Sequence, residues 1–264
     1  MYTIIKSLEN SVNLAISPCP NDTFIFYAIL HKKIKLSFDI NVEYEDIATL
    51  NQWALEQKFD FIKLSFGCYP YIKDNYGYLQ SGAALGHGCG PLLLSKTKNI
   101  DINSKSLVSI PGQYTTANLL LSFFYPNLNK KEICLFSDIP NRLLDEKSDL
   151  GLVIHETRFT YQKLGLHKIS DLGELWEKKQ NLPLPLGGIF YKKSIALKYI
   201  EEMEQAIVQS IDYAWGHQKE VLSFCKKYAQ EMNEEVMLQH IKLYVNEYSL
   251  NLGKLGNEAI SKLF

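Results

Sequence analysis

Between an apolar run, Val12 to Ile16, and a helical pattern beginning near Thr23, the chain carries Ser17-Pro18-Cys19-Pro20-Asn21-Asp22, the segment that most constrains its fold. Two prolines fix φ and remove two backbone donors, so neither the strand nor the helix can run through this turn. Asn21 or Asp22 can cap the helix that follows, leaving its first amides facing outward. A strand that ends in a stiff turn and a helix opens a βαβ unit, and ligands of open α/β sheets bind at that carboxyl edge.

The same alternation continues. Strands are predicted at 12–17, 38–45 and 59–65, with helices at 23–31 and 49–57 between them, and a further strand at 76–83. The glycine-rich turn Gly86-His87-Gly88-Cys89-Gly90-Pro91, the run Leu92 to Leu94 and polar Lys96 to Asn99 then read as a crossover. A second α/β series follows, with strands at 107–110, 133–136 and 150–154 and helices at 116–124 and 141–146. Leu182-Pro183-Leu184-Pro185-Leu186-Gly187-Gly188 reads as the return crossover, because its prolines suppress helix and its glycines permit unusual dihedrals. The remainder is helical, and Ile200, Met203, Ile207, Ile211 and Ala214 form a stripe expected to pack in the core. The expected fold class is α/β with two lobes. Residues 1–94 and 188–264 make the larger, discontinuous lobe and 95–187 the smaller, hinged by two crossovers with a ligand cleft between them.

Length and composition narrow the function. A chain of 264 residues can bury two ordinary cores, and a formal charge of −1 with 46% apolar residues offers no basic surface for nucleic acid or membrane. No apolar run approaches the roughly 20 residues that span a bilayer. Met1 to Asn10 contains no apolar stretch of signal-peptide length, so the expected location is cytoplasmic and the expected partner a small molecule. Five cysteines, at 19, 68, 89, 134 and 225, show neither CxxC pairing nor zinc spacing and are expected as reduced thiols, with no metal site. A homodimer is compatible with all of this.

Four segments fall at predicted strand ends from both lobes. The first is the Ser17 to Thr23 turn, where Asn21 is a candidate ligand contact or only a cap. The second is Lys63-Leu64-Ser65, in which Lys63 and Ser65 lie on one side of an extended chain and can hold a carboxylate. In the third, Pro111 to Ala117, Thr115 and Thr116 open a helix after a glycine turn and can offer hydroxyls and free amides to an anion, or simply cap it. In the fourth, a buried-looking strand ends at His155, which can titrate near neutrality and act as a general base, with Glu156 or Arg158 beside it. His87 competes from its glycine-rich turn but ranks below His155. The other histidines, 31, 167, 217 and 240, are expected at the surface or the edge of the core. The chain has no G-x-S-x-G elbow, H-E-x-x-H helix, Walker loop or dinucleotide fingerprint.

Taken together, SPCPNDTF at 17–24, KLS at 63–65, GHGCGPLL at 86–93, IPG and TTA within 110–117, GLVIHETRFTY at 151–161 and LPLPLGG at 182–188 resemble the 1,4-dihydroxy-6-naphthoate synthase family of the futalosine route to menaquinone. The resemblance implies a type II periplasmic-binding-protein-like fold used as a cytoplasmic enzyme. It implies a carboxylated substrate, cyclic dehypoxanthinyl futalosine, cleaved without a cofactor to dihydroxynaphthoate and a small fragment, expected to be dihydroxyacetone. Carried over by position, the family's base falls on His155 and its substrate-binding segments on Lys63 to Ser65 and on Thr115 with Thr116. A solute-binding protein of the same fold and the related enzyme chorismate dehydratase are the alternatives.

Overall fold

The computed structural model describes residues 11–229 and 233–264. Met1 to Asn10, read above as carrying no leader, lie outside the described residues. Among the described residues, eleven strands are distributed over two mixed sheets. The first contains β1 (Ser11–Ile16), β2 (Asp39–Tyr44), β3 (Phe61–Ser65), β4 (Tyr76–Tyr78), β5 (Ala84–Gly86) and β11 (Leu184–Lys192), in the order β2-β1-β3-β11-β4 with β5 also on β11. β1 runs parallel to β2 and β3, whereas β11 returns antiparallel to β3, β4 and β5. The second contains β6 (Leu92–Ser95), β7 (Val108–Ile110), β8 (Lys131–Ile133), β9 (Leu150–Val153) and β10 (His167–Asp171), ordered β10-β6-β9-β7-β8.

Position in the sheet explains the strand sequences. β3 is covered on both faces, so all five of its residues, including Lys63, are buried. β2 lies at an edge and alternates exposed with half-buried positions. The helix Pro20–Leu30 is buried almost all round, between the first sheet and the long helix Leu197–Gly216. Met203, Ile207, Ile211 and Ala214 of the expected stripe are buried in that core, and Ile200 packs at its rim.

Several boundaries differ from the sequence reading. The helix expected from Thr23 starts at Pro20, with Cys19 at the N-cap, so Asn21 and Asp22 lie inside its first turn and do not cap it. Proline is favoured at that first position, because its fixed φ suits the helix and its missing N–H would be unbonded anyway. The strand expected over 76–83 stops at Tyr78, and the chain turns at Gly82 with φ of +78°. Residues 184–188, expected in a crossover, belong to β11; Pro185 is tolerated because the register slips between it and Gly187. The strand expected at 133–136 is β8, shifted towards the amino terminus. β10 and the helix Leu172–Gln180 were not anticipated. β10 is a polar edge strand, while the helix does carry a signal, Asp171 accepting from the amides of Gly173 and Glu174.

The chain leaves the first sheet after Gly86 and enters the second at Leu92; it returns between Asp171 and Leu184. β6, grouped above with the larger lobe, is thus a strand of the second sheet, and Leu184 to Gly187, grouped with the smaller, belong to the first. The two passages lie side by side: Leu172 N–H donates to the Pro91 carbonyl at 3.0 Å, and a Cβ built on Gly90 would sit 2.3 Å from the Gly173 Cα. Only glycine permits that backbone approach. Gly90→Ala is expected to destabilise the protein by about 1–3 kcal/mol through overpacking at this crossing, visible as a lower Tm in calorimetry.

Candidate active site

A cleft between the two sheets encloses about 680 Å³ of non-protein space, solvent at its mouth included, within the size range of small-molecule sites. It lies where the carboxyl ends of β1, β3 and β9 and the amino ends of the helices Pro20–Leu30 and Thr116–Phe124 converge. All the site residues expected from sequence line it: Asn21, Lys63, Leu64, Ser65, Thr115, Thr116 and His155. Leu64 is fully buried and part of the core, as its place between Lys63 and Ser65 on the opposite side of the strand requires.

The floor is a buried polar network. Asp22 Oδ1 accepts from Lys63 Nζ at 2.9 Å, and the two side chains are only 1% and 6% exposed. Asn21 Nδ2 donates to the same oxygen at 2.8 Å, while Asp22 Oδ2 accepts from the Ser17 hydroxyl at 2.6 Å. Lys63 therefore enters the cleft with its charge already matched. Ser65 is fixed from behind, its N–H donating to Asn51 Oδ1 at 3.0 Å and its Oγ accepting from Asn51 Nδ2 at 3.3 Å. Its hydroxyl proton is still available to a ligand.

The two threonines have a different status from the one their residue type suggests. Thr115 is the N-cap: its hydroxyl donates to the Gly112 carbonyl at 2.8 Å and accepts from Asn118 N–H at 3.2 Å. Thr116 Oγ1 accepts from Gly67 N–H at 3.0 Å and donates to the Leu186 carbonyl at 2.7 Å, tying the second sheet to the first. Both hydroxyls are thus engaged, and Thr116 and Ala117, which line the cleft, open a helix whose first-turn amides have no intrahelical partner.

His155 follows β9 by two residues and has φ of +58°, a left-handed conformation uncommon among residues other than glycine, and one it shares with Lys32, Gln57, Glu146 and Asn181 outside the cleft. Phe136 meets its ring edge-on at a centroid distance of 4.8 Å, and Cys19 Sγ lies 3.6 and 3.8 Å from its two nitrogens, against the ring. Burial holds the His155 pKa below the ordinary imidazole value of 6.5, opposed by the Glu156 and Asp22 carboxylates. The imidazole is thus neutral at pH 7 and able to accept a proton. Burial drives the Cys19 thiol far up, so it is no nucleophile. Arg158 turns away from His155 to donate to the Gly90 carbonyl and to Asp171, both at 2.6 Å. His87 is exposed on Glu177, outside the cleft.

Sequence reasoning missed Asp22 as a site residue, and it missed the contribution of the carboxyl-terminal helices. Tyr244 lines the cleft and donates to the Cys89 carbonyl at 3.3 Å. His240, expected at the surface or the edge of the core, is completely buried behind Asn21. Their four-residue spacing on the helix Glu234–Tyr244 places both on one face, but nothing local says that this face meets the cleft.

A family model described as menaquinone biosynthesis matches residues 12–264. Two relatives named 1,4-dihydroxy-6-naphthoate synthase match almost end to end. The one from Thermus thermophilus is 38% identical over 96% of this chain and 93% of its own, and the one from Streptomyces coelicolor is 37% identical over 96% and 92%. The chain belongs to the menaquinone biosynthesis family. An Archaeoglobus fulgidus crystal structure superposes with a TM-score of 0.92 at 32% identity, covering 96% of this chain and 95% of that one. The Escherichia coli periplasmic aliphatic sulphonate binding protein, at 8% identity, covers 96% and 86% with a TM-score of 0.63. That likeness shows the type II periplasmic-binding-protein-like fold and nothing of the ligand. No helix among the described residues is long and apolar enough to cross a membrane.

The pairing of Lys63 with Asp22 makes a testable demand. Lys63→Met alone leaves a buried carboxylate uncompensated and should cost about 3–5 kcal/mol of unfolding free energy. Adding Asp22→Asn should recover part of that loss, a coupling that urea unfolding of the two single variants and the double variant measures.

Proposed function

We propose that this protein is a cytoplasmic carbon–carbon lyase that converts cyclic dehypoxanthinyl futalosine to 1,4-dihydroxy-6-naphthoate, releasing dihydroxyacetone. The observation that carries the reading is a half-buried His155, held neutral by burial, that shares one cleft with Lys63 and Ser65 of the other lobe and with a helix amino terminus of its own. The relatives named for this product agree with it.

The substrate carboxylate is held by the Ser65 hydroxyl and the Thr116 and Ala117 amides, where a helix amino terminus favours negative charge. Lys63, neutralised by Asp22, contributes directed N–H bonds rather than a free charge. His155 takes the proton of a substrate hydroxyl. The oxygen lone pair so released becomes the carbonyl of the departing fragment, and the carbon–carbon bond breaks. Its electron pair passes to the ring carbonyl as an enolate, which aromatises on reprotonation. Closure of the two sheets as lobes excludes water from these steps. The two lobes already meet closely beside the cleft, where a Cβ on Gly112 of the second would lie 2.9 Å from Ala48 Cβ of the first.

Purified protein, given the substrate without cofactor or metal, is expected to form dihydroxynaphthoate, followed by mass and absorbance. His155→Ala should retain turnover reduced roughly 10²- to 10⁴-fold, the usual worth of a general base; full activity in that variant would remove the assignment. Because the neutral ring is the active form and burial lowers its pKa, kcat/KM should be flat near neutrality. It should then fall on the acid side with a midpoint below 6.5. Binding without turnover would point instead to a solute-binding role.

A further inference from the structure

His240 is buried with one nitrogen used and one not. Its Nε2 lies 3.0 Å from Asn21 Oδ1, while Nδ1 has no hydrogen-bond partner. Asn21 Nδ2 donates to Asp22 Oδ1 at 2.8 Å, which fixes the orientation of the amide and makes Oδ1 the acceptor. His240 must then be the Nε2–H donor. Its ring packs against Tyr244 at a centroid distance of 4.6 Å and lies nearly parallel to His155 at 6.1 Å, 27° apart. Burial and the neighbouring His155 push its pKa well below the ordinary imidazole value, so the ring is neutral.

If packing were its whole purpose, this site would suit a phenyl ring better, since a buried acceptor with no donor is a standing cost. The imidazole supplies one thing a phenyl ring cannot, the N–H that pins Asn21. Asn21 lines the cleft, and only one of its two amide hydrogens is taken by Asp22. We propose that His240 is a positioning residue: by donating to Asn21 Oδ1 it holds the Asn21 amide so that its second N–H hydrogen-bonds an oxygen of the substrate. Asn21 is then a substrate contact, and the carboxyl-terminal helix is part of the active site at one remove. This assignment rests on the function proposed above.

Three proteins test it: wild type, His240→Phe, which keeps an aromatic ring and removes the donor, and His240→Gln, whose amide nitrogen can take the place of Nε2. With cyclic dehypoxanthinyl futalosine, kcat/KM should fall roughly 10- to 100-fold in His240→Phe, as misplacement of a binding group does. It should recover to within about threefold of wild type in His240→Gln. Equal loss in both variants, or none in His240→Phe, overturns the proposal. A readout that needs no substrate separates this from failure of the functional reading. The Asn21 side-chain amide resonance, assigned by nuclear magnetic resonance, should shift and exchange faster with solvent in His240→Phe but not in His240→Gln. An unchanged Asn21 amide in His240→Phe overturns the positioning role even if wild type proves inactive on this substrate.

Discussion

The buried pair of Asp22 and Lys63 is the contact on which the cleft depends. A carboxylate and an ammonium withdrawn from water cost several kcal/mol each and are tolerated only when their remaining valences are filled. Here Asp22 fills them with Ser17, Asn21 and Lys63. It can do so because Pro20 opens the helix and places Asp22 in the first turn, directed back towards the end of β1. One carboxylate thereby joins the strand-to-helix turn to the centre of the sheet, and the floor of the site becomes rigid without a free charge.

That arrangement divides labour between the sheets. The first supplies a rigid, charge-balanced wall: Lys63 and Ser65 on a strand buried on both faces, each held from behind. The second supplies the His155 imidazole proposed as the base, the first-turn amides of the helix Thr116–Phe124 and the hydroxyl of Thr116 that ties it to Gly67 and Leu186. The same fold in solute-binding proteins needs only to hold its ligand. Here the cleft also holds a neutral imidazole on a left-handed backbone, the group proposed above as the proton acceptor.

The sequence made much of this legible where a local rule operates. Alternation of strand and helix patterns located β1, β2, β3, β7 and β9, and the helix Thr116–Phe124 has the bounds its pattern predicts. It failed where tertiary contacts override local preference. Leu184 to Gly187 look like a loop because of Pro185, yet form strand because β5 pairs with them through a bulge. At Thr115 and Thr116 residue type alone left a ligand contact and a helix cap both open, and only the packed fold commits their hydroxyls to the cap and the tie between sheets.

The sequence by itself determined the α/β class, the strand-end positions of His155, Lys63 and Ser65, and the stiffness of the turn at Ser17. Each follows from periodicity of two or 3.6 residues and from the fixed dihedral of proline, properties that reside in neighbouring residues. Only the tertiary structure decided that Lys63 is neutralised by Asp22, that the Thr116 hydroxyl is spent on Gly67 and Leu186, and that His240 stands behind Asn21. Those are contacts between residues as many as 219 positions apart. They exist only when the sheets and the carboxyl-terminal helices have packed, because desolvation sets which polar groups must find partners and packing sets which partners are within reach.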